Sequence, residues 1–96
     1  MTKVLLEIRQ KTELQSFEGT TFTKIDLIGV DNHGTPYKFE FHKEKAELLK
    51  DVCLGQLAII DFHIRGNFYD KKDKKGKLTG KKDVSNSLVA FHITLL

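Results

Sequence analysis

The chain has 96 residues and a mass of 11.0 kDa, the size of one domain, so a two-domain organisation is excluded and residues 1–96 are expected to share one core. With 40% hydrophobic and 30% charged residues it is too apolar for a disordered chain; its longest apolar runs, such as residues 57–60, exclude a membrane-spanning helix, and the opening residues lack a secretory signal. The net charge of +3 divides into −2 over residues 1–64 and +5 over residues 65–96, which excludes an evenly basic surface and confines the excess to one segment.

Residues 4–11 alternate Val4, Leu6 and Ile8 with Glu7, Arg9 and Lys11, the period of a half-buried strand. Residues 13–20 read as a turn, and residues 21–30, rich in Thr, Phe and Ile, as a second strand. Asp31, Asn32, Gly34 and Pro36 are turn formers that close a hairpin into a third strand at residues 37–42. Residues 43–52 lose the alternation, and Ala46, Leu49, Val52 and Cys53 recur at helical spacing. Gly55 sits where a helix ends on a left-handed residue. A fourth strand over residues 56–65 carries Ala58, Ile60, Phe62 and Ile64 on one face. Lys71, Lys72, Lys74, Lys75, Lys77, Lys81 and Lys82 then crowd between Tyr69 and Asp83 with Leu78 as their only apolar companion, so residues 67–86 are expected to form a solvated basic loop. The fifth strand turns Val89, Phe91, Ile93 and Leu95 inward and Ala90, His92 and Thr94 outward.

Three strands, a helix and two strands in this order predict an all-β, five-stranded OB-fold, a Greek-key barrel with its short helix between the third and fourth strands. Several segments carry a resemblance as well: Gly19, Thr20, Thr21, Phe22 and Lys24 opening the second strand; Phe39 to Leu49 running from strand into a helix with an Ala46-Glu47 pair; Leu54-Gly55; Ala58 to Gly66; and residues 87–96 at the close. In that order they resemble bacterial single-stranded DNA-binding proteins, and most of all short relatives of that family. The resemblance spans nearly the whole chain and implies a non-enzymatic protein that binds single-stranded DNA, or RNA, with low sequence specificity, commonly as a dimer or tetramer. Two departures stand out. The family's acidic C-terminal tail is absent, so recruitment of partners by that route is not expected, and there is no Trp, so stacking must use Phe or Tyr.

An OB-fold binds oligonucleotides on its second and third strands and the loops beside them. With Ile25 and Leu27 inward, Phe22, Lys24 and Asp26 point out. Phe22 then offers a base a stacking surface and Lys24 reaches the neighbouring phosphate. Phe17, Phe68 and Tyr69 would add further platforms at the rim, with Phe17 and Phe68 alternatively plugs over the barrel ends, and Arg65 lies at the same mouth. The seven lysines from Lys71 to Lys82 would neutralise phosphates. Tyr37, Phe39 and Phe41 share a face and are expected in the core, because the opposite parity would bury Lys38, Glu40 and His42. Asp61, whose parity matches His63, is expected to face out.

His63 and His92, each between a Phe and an Ile, are expected as cross-strand neighbours. Two histidines fall short of a closed metal site, there is no Cys-x-x-Cys, and Cys53 stands alone, so neither a metal nor a disulfide is expected and a reducing cytosol fits. No nucleophile-base order or phosphate-cradling glycine loop points to an enzyme or a cofactor. The competing reading is an OB-type protein-interaction module whose lysines serve solubility.

Overall fold

A computed structural model describes residues 2–96. Its elements are β1 (Thr2–Lys11), β2 (Gln15–Ser16), β3 (Thr23–Val30), β4 (Pro36–His42), a 3-10 helix (Lys43–Leu49), β5 (Leu57–Lys72) and β6 (Leu78–Leu95). The chain is thus mostly β, and among the described residues no helix is long and apolar enough to cross a membrane.

The sheet closes on itself. β1 divides its length between two partners: Thr2 to Glu7 pair with β5, and Glu7 to Lys11 pair with β3. From β3 the ring runs to β4, from β4 to β6 by a parallel pairing, and from β6 back to β5. The switch within β1 falls at an irregularity between Ile8 and Gln10, the kind of local kink that lets a strand bend round a corner. Gly29 makes the close approach there possible. A Cβ at that position would run into the Leu6 side chain and stand 2.8 Å from the Glu7 carbonyl oxygen.

Alternation fills the ring's interior. Leu6 and Ile8, Leu27, Phe39 and Phe41, and Ala58, Ile60 and Phe62 all point inward and are buried, with Phe39 and Phe62 packed edge to face at 4.9 Å. Tyr37, Ile25 and Leu88 pack around this cluster partly buried. The helix seals one end with Ala46 and Leu49, followed by Val52. It is tied down by Lys11, whose Nζ donates to the carbonyls of Leu49 (3.0 Å) and Val52 (3.2 Å). That lysine was expected to face solvent; it satisfies instead carbonyls that a helix end leaves without partners.

Four expectations need correcting. The helix is shorter and tighter than residues 43–52, and Cys53 is exposed. The short β2 pairs Gln15 and Ser16 with β3 inside what read as a turn. In β6 a bulge inserts Phe91: Asp61 faces His92 while Phe62 faces Ala90. The inward set is therefore Leu88, Ala90 and Ile93, while Val89 is buried on the outer face beside Glu40; His63 lies opposite Val89 and stacks on Phe91 at 6.2 Å, so it is not opposite His92. Asp61 stays on the outer face between Lys3 and His92 but is 92% covered, with the Lys3 ammonium 3.7 Å from Oδ1.

The fourth correction is the largest. Residues 67–86 form no loop. β5 and β6 continue past the body as a two-stranded ribbon, paired from Ile64–Leu88 through Asp70–Lys82 to Lys72–Leu78, and turn only at residues 73–77. There the Asp73 carboxylate accepts the backbone N–H groups of Lys75 (2.8 Å) and Lys77 (2.9 Å), and the Asp73 N–H donates to the Lys77 carbonyl. This local bonding outweighs the mutual repulsion of exposed lysines, which water and salt screen. The ribbon contributes to the molecule's elongation, 47 × 36 × 25 Å.

Candidate nucleic-acid interface

The outward residues of β3 and β4 form a compact polar block. Register sets Lys24 opposite His42 and Asp26 opposite Glu40, so four charged or titratable groups share one patch. Lys24 Nζ lies 3.4 Å from Asp26 and 3.6 Å from Glu40, and His42 Nε2 lies 2.9 Å from Glu40. Burial pushes the Glu40 carboxyl up, but hydrogen bonds from His42 and Ser87 and the charge of Lys24 outweigh it and hold the group below its ordinary value of 4.5. The lysine expected to reach a phosphate is therefore already neutralised within its own sheet. Glu40 is thus hydrogen-bonded to both His42 and Ser87.

Next to this block lies a cleft. Phe22 is half-buried just before β3, its ring 4.8 Å from His42, edge to face, and 5.5 Å from Phe17. Phe22, His42, Lys43, Glu44 and Arg65 line a concavity of about 350 Å³. Lys43 takes a left-handed backbone, φ 49°, which costs a residue with a Cβ about 1–2 kcal/mol. Strain of this kind, where strand turns into helix, brings the start of the helix to the rim of the cleft. An aromatic ring with a lysine and an arginine beside it can hold a planar base and the phosphates that flank it.

From Arg65 the ribbon carries the cationic surface outward, and cross-strand partners show which side chains share a face. Tyr69 lies opposite Asp83, with its hydroxyl 3.4 Å from that carboxylate, and Lys71 comes within 3.9 Å of the same group. Arg65, Tyr69 and Lys71 thus lie on the face that continues from Glu40 and Ser87. Phe68 lies on the other face with Val84, beside the Asp70–Lys82 ion pair of 3.1 Å. Lys72, Lys74, Lys75, Lys77 and Lys81 have no acidic partner among the described residues.

The predicted set therefore divides. Phe22 and Arg65 meet in the cleft, Tyr69 and Lys71 extend the same face, and the unpaired lysines surround the tip. Lys24 and Lys82 are held by acids, and Phe68 points away. Sequence reasoning did not find His42, Lys43 or Glu44, because their place depends on the strand-to-helix bend. No group of three metal-ligating side chains occurs among the described residues. No protein-family model matches the sequence, and no curated protein matches it significantly.

Proposed function

We propose that the chain is an OB-type barrel that binds single-stranded nucleic acid without catalysis and with low sequence specificity, acting in a reducing cytosol compatible with its exposed Cys53. The ring order, with its one parallel pairing between β4 and β6, supports the OB reading, as does the helix between β4 and β5. The observation that carries the functional reading is the continuity of one face. The cleft of Phe22, Lys43 and Arg65 leads directly onto a ribbon whose five unpaired lysines surround its tip. A single strand would stack a base on Phe22, run past Arg65 and Tyr69, and release counterions at the lysines.

Five neutralised phosphates of a single strand correspond to a slope of about −3.5 in log K against log salt, or roughly a 100-fold loss between about 50 and 200 mM. Fluorescence anisotropy of labelled oligo-dT and oligo-U, with duplex DNA as control, tests this. Salt-sensitive binding of a single strand with weak duplex binding is the expected result, and the two oligomers compared tell DNA from RNA. No binding at the lower salt, or equal binding of duplex, removes the reading. The protein-interaction alternative draws support from one feature only, the apolar face of the ribbon.

A further inference from the structure

A carboxylate beside a run of phosphates repels them, so Glu44 is out of place in a cleft that serves the nucleic-acid backbone alone. It lines that cleft with Phe22, His42, Lys43 and Arg65. Glu44 and Arg65 are both exposed, and neither forms an ion pair among the described residues. Two opposite charges thus share one concavity of about 350 Å³ without touching, and each stays open toward a molecule between them. They come from different walls: Glu44 lies in the first turn of the 3-10 helix, and Arg65 lies on β5 where the ribbon leaves the body. His42 does not compete for such a molecule in the same way. Its Nε2 is held by Glu40 at 2.9 Å and its ring packs edge to face on Phe22, so it supports the aromatic platform.

Donors and acceptors indicate what fits between these walls. An ionised carboxylate only accepts hydrogen bonds, through two oxygens, and a guanidinium only donates them, in a planar fork. Guanine alone among the bases carries two adjacent donors, N1–H and the 2-amino group, on one edge and two adjacent acceptors, O6 and N7, on another. Adenine and cytosine present one amino group beside a ring nitrogen that accepts and so faces a carboxylate unfavourably. Thymine and uracil present a single N3–H between two carbonyls. We propose that the cleft is a guanine-reading subsite, an inference that rests on the single-strand reading above. The base stacks on Phe22, Glu44 accepts from N1–H and the 2-amino group, Arg65 donates to O6 and N7, and Lys43 meets the adjoining phosphate. One nucleotide of the bound strand is then selected by its base, while the ribbon lysines hold the remainder whatever its sequence.

Fluorescence anisotropy of short oligo-dT carrying one central dG, dA or hypoxanthine nucleotide, against plain oligo-dT, tests the subsite at about 200 mM salt, where the phosphate contribution is weakened. The dG oligomer is expected to bind about tenfold tighter than plain oligo-dT. The dA oligomer, a purine that stacks but lacks the paired donors, should gain little, and hypoxanthine, which lacks only the 2-amino group, should fall between dA and dG. Glu44→Gln replaces one acceptor by a donor and should bring the dG and plain oligomers to nearly equal affinity. Glu47→Gln, at an exposed acid of the same helix outside this cleft, should keep the preference, and both variants should keep the circular dichroism of the parent. Equal affinity for the dG and plain oligomers, an equal gain from dA, or a dG preference that survives Glu44→Gln overturns the inference and leaves single-strand binding standing. No binding of any oligomer at about 50 mM salt removes both readings together, so the two failures are told apart.

Discussion

The β3–β4 hairpin turns at Asp31 and the β5–β6 hairpin at Asp73, and the two turns are built alike. In each the aspartate Oδ1 accepts two backbone N–H groups, those of His33 and Thr35 in one and of Lys75 and Lys77 in the other. In each the glycine three residues on, Gly34 or Gly76, takes positive φ and donates its N–H back to the aspartate carbonyl. The strands they join differ completely. β3 and β4 bury Leu27, Phe39 and Phe41, whereas the outer halves of β5 and β6 bury nothing. Local turn chemistry is enough to reverse the chain, but tertiary packing decides whether the hairpin belongs to the core or projects from it. Projection is what leaves the lysines free to meet a partner.

Core and arm should respond to mutation on different scales. Phe39→Ala is expected to destabilise the fold by about 3–5 kcal/mol in denaturant unfolding. Phe68→Ala, on an exposed site, should change the stability of the single chain by no more than about 0.5 kcal/mol. Equal losses at the two positions would place the ribbon inside the cooperative unit. At the cleft, Phe22→Ala should weaken oligo-dT binding by about 1–3 kcal/mol with a much smaller effect on the unfolding midpoint; the reverse pattern would assign Phe22 to the core.

The matched turns give a finer comparison. Asp31→Ala should lower the thermal midpoint, since it also removes the acceptor of the Tyr37 hydroxyl at 3.2 Å. Asp73→Ala should leave the midpoint in place and speed amide exchange only near residues 73–77. The smallest effect is in acid. Because Glu40 is held below its ordinary 4.5, its contribution to stability is complete above that value and is lost as the pH falls below it. Glu40→Gln should flatten this part of the stability-pH curve, and an unchanged curve would show that the Lys24–Glu40–His42 network contributes nothing.

The core strands were legible because alternation is strict where one face is buried. Leu6 and Ile8, Leu27, Phe39 and Phe41, and Ala58, Ile60 and Phe62 all lie inward as their spacing predicts. Parity failed at Phe91, since a bulge shifts every residue on one side of it and leaves no mark in composition. The ribbon was missed for a different reason. Lysine density suggested a solvated loop, yet the spacing of Asp73 and Gly76 repeats that of Asp31 and Gly34, and comparing the two segments would have revealed a second hairpin. Phe22 and Arg65 could be named from their positions beside strands; that Lys24 is taken up by Asp26 and Glu40 follows only from the register between β3 and β4.

The central claim is that the unpaired lysines at the ribbon tip supply the electrostatic part of single-strand binding. The measurement that tests it most directly is the salt dependence of oligo-dT affinity for the parent and for the chain with Lys72, Lys74, Lys75 and Lys77 all replaced by Gln. Leaving Lys81 as the one unpaired lysine of the ribbon should reduce the ribbon's share of the slope from about −3.5 to about −0.7, with the fold intact. A slope that survives the four substitutions would contradict the account and move the phosphate contacts off the ribbon.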